Sequence, residues 1–314
     1  MQRCHWMVAP GTVYSDLMAT QDLRSSMLIE VDELADIAGT AGVAILDVTT
    51  RLTRELSNTA RSTCFEVGHI PGSVSFDVGS AKGVLSAKSE MLPWMWPSTE
   101  EVTSSLRAAG VHDGDRIVIA ASTPRAGIDS GTMWCTRAFW TLHHMGLNVA
   151  VLRGGLESWI AAGHPLETGD VAVEPSDIVV SETGLHGRAL IDDVIDAVGD
   201  GSTCLIDALS SENFTGLEPG YGPRRGHISG AVNMPYLNLI DAETALFPSN
   251  GELAERLSSV RGGKSTIAYC GGAIAATVVA FALTLLGETG IRVYDGSLME
   301  WSTRDDLPMT NPSA

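Results

Sequence analysis

The chain has 314 residues, with 38 acidic against 20 basic side chains and a formal net charge of -18. That balance argues against nucleic acid or an anionic membrane surface as a partner, although a local cradle of amides and arginines can still receive a small anion. The length predicts about two domains, and the absence of any run of about 18 apolar residues predicts no transmembrane helix.

The first 26 residues read as an irregular extension without the continuous apolar stretch of a signal peptide. Val31-Asp-Glu-Leu opens the ordered part as a helix, and Ala44-Ile-Leu-Asp-Val48 and Val74-Ser-Phe-Asp77 read as strands. Ser98 to Ala109 reads as a helix, with Ser98 or Thr99 as its cap, acids in its first turn and Gly110 after its end. Ile117-Val-Ile-Ala120 is a buried strand. Thr132 to Met145 is a helix stopped by Gly146, Val149-Ala-Val-Leu152 is a strand, and Gly155 to Ala162 is a short helix stopped by Gly163. Glu167 to Pro175 is polar and without periodicity, which places a linker there, continuing to about residue 183. A second series follows. Ala189-Leu-Ile-Asp-Asp-Val opens it with a helix, Leu205-Ile-Asp207 is a strand, and Ile267-Ala-Tyr-Cys270 is a strand leading through small residues into a helix over Thr277 to Leu286.

The two series are an internal repeat. Ile45-Leu-Asp47-Val returns as Leu205-Ile-Asp207-Ala, and Gly68-His-Ile-Pro-Gly-Ser-Val74 as Gly226-His-Ile-Ser-Gly-Ala-Val232. Arg116-Ile-Val-Ile-Ala120 returns as Ser265-Thr-Ile-Ala-Tyr269, and Val151-Leu-Arg-Gly-Gly-Leu-Glu-Ser-Trp159 as Val293-Tyr-Asp-Gly-Ser-Leu-Met-Glu-Trp301. Strands alternating with helices at this spacing predict an α/β fold used twice, each copy a mainly parallel β-sheet with helices on both faces. The predicted divisions are 1–26, 27–168, a linker 169–183, and 184–314.

Five cysteines (Cys4, Cys64, Cys135, Cys204 and Cys270) are scattered, odd in number and without a C-x-x-C pair. They predict neither a disulfide framework nor a zinc site, but a reduced cytoplasmic protein. Only Cys270 opens a strand-to-helix turn of small residues. Backbone amides and a helix N-terminus converge there, which favours a thiolate and predicts a lowered pKa. Cys270 is the candidate nucleophile, and Gly271, Gly272, Ala273, Ile274 and Ala275 form the candidate anion cradle. The corresponding place in the first half is Ala121 or Ser122, which carries no thiol.

These motifs together resemble the rhodanese family, specifically its tandem-domain sulfurtransferases. The resemblance covers about Leu28 to Pro308. It rests on Gly68-His-Ile-Pro-Gly and Gly226-His-Ile-Ser-Gly, on the closing segments ending in Trp159 and Trp301, and on the Cys270 loop. It implies two rhodanese-like α/β domains of which only the second is catalytic, the first walling one side of a cleft. It implies sulfur transfer from a small anionic donor, thiosulfate or 3-mercaptopyruvate, through a Cys270 persulfide to cyanide, a thiol or a protein cysteine, with no metal or organic cofactor. Arg224 and Arg225 are the candidate cations for the donor. His69 reads either as a substrate contact or as a structural histidine tying its turn to a strand, and the second reading is favoured because buried polar groups are usually satisfied. Two departures from the family pattern bear on the donor. Leu209 and Asn213 stand where arginines are expected, and Gly271-Gly272 carries neither the hydroxyl of mercaptopyruvate-type loops nor the basic residues of thiosulfate-type ones. Gly271 leans the loop toward the former.

Other readings are weaker. A cysteine phosphatase of this fold needs an arginine six residues after the cysteine, where this chain has Ala276. Gly262-Gly-Lys-Ser-Thr266 leads into a strand and is a turn rather than a phosphate loop. Adjacent His143 and His144 diverge on a helix and do not make a metal pair. Trp94 and Trp96 are expected to pack across the domain junction. The non-enzymatic alternative is a rhodanese-like binding or regulatory module that holds an anion or a protein partner with weak turnover.

Overall fold

The computed structural model describes residues 22–122, 130–181, 186–241, 243–244, 246–262 and 265–314. The fold is α/β and contains the same sheet twice. In the first half the strands are β1 (Leu28–Ile29), β2 (Val43–Asp47), β3 (Ser73–Ser75), β4 (Arg116–Ala120) and β5 (Val149–Leu152), in the order β1-β5-β4-β2-β3. In the second half they are β6 (Arg188–Ala189), β7 (Cys204–Asp207), β9 (Val232–Asn233), β10 (Thr266–Tyr269) and β11 (Ile291–Tyr294), in the matching order β6-β11-β10-β7-β9. Every pairing within these two sheets is parallel. The remaining two strands, β8 (His227–Ile228) and β12 (Met309–Thr310), form a small antiparallel ribbon.

The helix ends follow local chemistry. Thr99–Ala108 begins at a capping box in which the Ser98 hydroxyl accepts from Glu101 N–H and the Glu101 carboxylate reaches back to Ser98 N–H, a device that satisfies two orphan donors at once. Two helices are buried on nearly all sides. In Gly131–His143 every residue up to Leu142 is buried. In Ala275–Leu285 only Thr284 escapes full burial. The core of the first half gathers Ile45, Val118, Ala150 and Leu152 from the central strands with Leu34, Leu156 and Trp159 from the helices.

Contacts divide the chain into two compact units. One is Ser25–Leu185 with Ala242–Leu246, and the other holds His186–Asp241 and Phe247–Ala314 together with the residues up to Arg24. Two sequence expectations shift. Residues 22–27 are helical, so the N-terminal extension is not irregular throughout. The expected linker is not a free tether, because Arg107 Nε donates to Ile178 O at 2.8 Å and Val180 N–H to Thr103 Oγ1 at 3.1 Å, which lays the segment along the Thr99–Ala108 helix. Trp94 and Trp96 are both buried. Trp94 Nε1 donates to Gly79 O at 2.8 Å, and the Arg137 guanidinium lies 5.8 Å from the Trp96 ring centroid. Among the described residues no helix is long and apolar enough to cross a membrane.

Candidate active site

Strand β10 ends at Tyr269, and the next residue, Cys270, sits in a loop that curls back on its own sulfur. The amides of Gly272, Ile274 and Ala276 all donate to Cys270 Sγ. Such a curl needs unusual backbone. Ala273 adopts φ 59°, a left-handed conformation that costs an L-residue about 1 kcal/mol or more and persists only when its surroundings hold it. The holding group is Ser297. Its hydroxyl accepts from Cys270 N–H at 3.3 Å and Ala273 N–H at 3.1 Å, and donates to Tyr294 O at 2.8 Å. The start of the Ser297–Trp301 helix adds Leu298 N–H to Cys270 O at 3.0 Å and Met299 N–H to Gly271 O at 2.9 Å. The D-G-S segment of the repeat is therefore the clamp on the cysteine loop.

The electrostatics of Cys270 oppose one sequence expectation. The three amides do favour the thiolate, but the residue is only 2% exposed. Burial is the largest influence and the Asp207 carboxylate adds to it, so the thiol is pushed up rather than down. Asp207 ends β7 beside the site, fully buried. Its Oδ1 accepts from Leu209 N–H at 2.9 Å. Burial nevertheless lifts its pKa to about 7, against that hydrogen bond and the neighbouring Tyr269 hydroxyl. Tyr269 is itself buried and accepts Ile228 N–H at 3.1 Å.

Two phenols flank the sulfur. A Cβ added at Gly271 would lie 2.2 to 2.5 Å from three carbons of the Tyr221 ring, so that ring rests directly on the loop. Tyr221 as a whole is 42% exposed, yet desolvation on the side facing the loop, with the neighbouring Cys270, pushes its hydroxyl up to about 12. Tyr236 opens a 3₁₀ turn over Tyr236–Leu239, and burial and Cys270 raise it too.

A model of the "Rhodanese-like domain" matches this chain twice, over residues 30–162 and 190–304. The 3-mercaptopyruvate sulfurtransferase of Escherichia coli strain K12 is 31% identical over 256 residues, 77% of this chain and 83% of that protein. The chain belongs to the rhodanese family. A putative thiosulfate sulfurtransferase of Mycobacterium tuberculosis, SseB, is 29% identical over 298 residues, 93% of this chain and 99% of that protein. The crystal structure of SseA from Escherichia coli, described as a 3-mercaptopyruvate sulfotransferase of rhodanese fold, superposes with a TM-score of 0.75 at 26% identity, covering 87% of this chain and 98% of that one. This rhodanese is a sulfurtransferase.

Within the rhodanese frame the loop residues Gly271, Gly272, Ala273, Ile274 and Ala275 all lie in the curl around Cys270. The other sequence candidates fall differently. Arg224 is committed to structure: its guanidinium donates to the carbonyls of Ser302 at 3.0 Å, Leu307 at 2.7 Å, Trp301 at 2.8 Å and Arg304. Those bonds use four of its N–H groups and fasten the segment after the last helix. Arg225 is exposed and has no hydrogen bond or ion pair among the described residues. His69 is buried, stacks on Phe65 at 3.9 Å and bonds the Phe65 carbonyl through Nδ1 at 2.8 Å. The histidine thus ties its turn to the end of the Arg61–Phe65 helix rather than to a strand. His227 repeats the stacking and the bond on Phe214, at 3.6 Å and 2.7 Å. Leu209 is buried and Asn213 is tied to the Ser210 hydroxyl, so neither position offers a charge.

Sequence reasoning missed Ser297, Asp207, Tyr221 and Tyr236. Ser297 and Asp207 lie inside landmarks of the repeat, where the sequence gives no sign of their contacts with the cysteine loop. Tyr221 had a visible signal. His69 follows Phe65 by four residues, while His227 follows Phe214 by thirteen, and the added stretch carries the tyrosine.

Proposed function

We propose that Cys270 is the nucleophile of a sulfurtransferase that passes a sulfane sulfur through a cysteine persulfide. The Cys270 thiolate attacks the outer sulfur of the donor. With 3-mercaptopyruvate the carbon–sulfur bond breaks, its electron pair stays on carbon, and the thiol proton of the donor ends on the methyl group of pyruvate. With thiosulfate the sulfur–sulfur bond breaks and sulfite leaves. Either way the enzyme holds Cys–S–S⁻, and a thiophilic acceptor (cyanide, a thiol or a protein cysteine) takes the outer sulfur and restores the thiolate. The step as written uses no metal or organic cofactor.

The observation that supports this reading is the three-amide cradle around Sγ, held by Ser297. Amides fixed in advance stabilise charge on sulfur without reorganising during the reaction. Burial and the Asp207 carboxylate favour a thiol at rest, and the three amides stabilise the anion once its proton has been lost. Gly271 favours 3-mercaptopyruvate as donor, and the free cysteines among the described residues fit work in a reducing cytoplasm. The relatives named above are a 3-mercaptopyruvate sulfurtransferase and a putative thiosulfate sulfurtransferase, which supports the same pair of donors for this chain.

The test is intact-mass spectrometry after incubation with each donor. The expected result is an adduct of one sulfur atom that cyanide removes and that Cys270→Ser never forms. A binding module with weak turnover would give no adduct from either donor, and an adduct that survives Cys270→Ser would assign the sulfur to another thiol.

A further inference from the structure

The second half has thirteen residues from Phe214 to its signature histidine where the first half has four from Phe65. Tyr221 lies in the added stretch between Gly220 and Gly222. Its ring fills the space that a side chain at position 271 would take, since any Cβ there would strike Cδ1, Cε1 and Cγ of the phenol. The side chain that the loop lacks has thus been replaced by one reaching in from another segment. Tyr236 approaches from a second direction, on a 3₁₀ turn that packs against the Ala275–Leu285 helix following the loop. Neither hydroxyl has a hydrogen-bond partner among the described residues.

An anionic donor still has to be received, and among the described residues the second half shows little positive charge committed to it. The charged group acting on the Cys270 sulfur is the Asp207 carboxylate. Arg224 is tied to four carbonyls, and Leu209 is apolar and buried. Both phenols keep their protons at neutral pH, so each can donate a hydrogen bond to an oxyanion.

We propose that Tyr221 and Tyr236 are specificity-determining residues of the sulfur-transfer site, their hydroxyls receiving the oxyanion head of the donor beside Cys270. The inference rests on Cys270 being the reactive cysteine. It deepens that reading by giving the donor's carboxylate or sulfonate a neutral, phenolic receptor in place of a guanidinium. Neutral donors suit a site that must also hold a negative sulfur, because they bind an oxyanion without trapping it as an ion pair.

The decisive measurement is alkylation of Cys270 in the full chain by two reagents of similar size, anionic iodoacetate and neutral iodoacetamide. It is compared across wild type, Tyr221→Phe, Tyr236→Phe and Tyr221→Ala. Phenylalanine keeps the ring over Gly271 and removes only the hydroxyl, and thermal unfolding checks that each variant folds. The expected result is that each phenylalanine variant lowers the iodoacetate-to-iodoacetamide rate ratio several-fold and raises the donor KM by about tenfold with kcat within about twofold, the size of one lost hydrogen bond to a charged group. If the ratio and KM are unchanged in both phenylalanine variants, the proposal is wrong. If only Tyr221→Ala departs from wild type, the ring is a cover and the proposal is equally wrong. The alkylation ratio is readable even in a chain that forms no persulfide, so failure of the sulfur-transfer reading and failure of this one are separate outcomes.

Discussion

The two halves share a strand order and one backbone bond beside the site, yet differ in the few atoms that make it. In one, Leu156 N–H donates to Ala121 O at 3.0 Å. In the other, Leu298 N–H donates to Cys270 O at the same distance. That bond identifies Ala121 as the true counterpart of Cys270. Around it Gly155 stands for Ser297, Ala120 for Tyr269, and a four-residue spacing for a thirteen-residue one. The frame survives all of these exchanges. The lesson is that sheet order and helix packing belong to the fold, while the chemistry belongs to a small set of side chains set into it.

The largest expected effect breaks the comparison at its centre. Cys270→Ser lowers sulfur transfer by at least about a thousandfold, as loss of a covalent nucleophile does, measured as thiocyanate or pyruvate formation. Adding Ala121→Cys to that variant restores nothing. In the first half Gly155 provides no hydroxyl to hold a loop, and the Glu157 carboxylate, 2.7 Å from the Ser122 hydroxyl, places negative charge beside the would-be sulfur. Recovery of turnover by the double variant would show that the frame alone suffices.

Next comes the clamp. Ser297→Gly removes the shared acceptor of two buried amides, those of Cys270 and Ala273, at about 1–3 kcal/mol for each donor left unsatisfied. It also relieves a residue held at φ 49°, worth about 1 kcal/mol in return. The net loss is about 1–5 kcal/mol in denaturant unfolding, with faster, less selective alkylation of Cys270 as the loop loosens. Ser297→Ala keeps the strain and is the worse of the two. The reverse graft is blocked, because a Cβ at Gly155 would lie 2.2 Å from Ala121 O.

Asp207 sharpens the comparison through pH. Its folded-state pKa of about 7 stands above the ordinary 3.8. The folded chain therefore binds the extra proton between those values, and stability from this group is complete below about 4 and falls as pH rises toward 7. Asp207→Asn removes that slope from a series of unfolding curves. It also removes the carboxylate that helps to hold the Cys270 thiol up, so the pH profile of iodoacetamide alkylation moves to lower pH. An unmoved profile would mean that burial alone sets the cysteine.

The frame was legible because its landmarks are local. The capping box at Ser98, the glycine-histidine turns and the closing tryptophans announce themselves in a few consecutive residues, and their repetition in order fixes two copies of one fold. Cys270 was legible for the same reason, as the only thiol opening a turn of small residues. What escaped depends on atoms far apart in the chain. The direction of the Cys270 shift is decided by burial against amides, and burial is a property of packing. Tyr221 acts on a loop fifty positions away in rough count, through a contact visible only in space. Arg224 and Arg225 are adjacent and alike in sequence, and only the carbonyls around residues 301–307 separate their roles.

That separation yields the smallest effect. Arg225 is exposed and free of ion pairs among the described residues, so Arg225→Ala leaves stability within about 0.5 kcal/mol of wild type. If it assists the donor at all, it does so through water as a screened charge. The expected rise in donor KM is below about threefold and disappears when salt is raised to about 1 M, where the screening length falls to about 3 Å. The first half has no equivalent, because its four-residue spacing leaves no room for the loop that carries the arginine. A salt-insensitive loss of more than tenfold would instead make Arg225 a direct ligand of the donor, and would shift recognition from the phenols to a guanidinium.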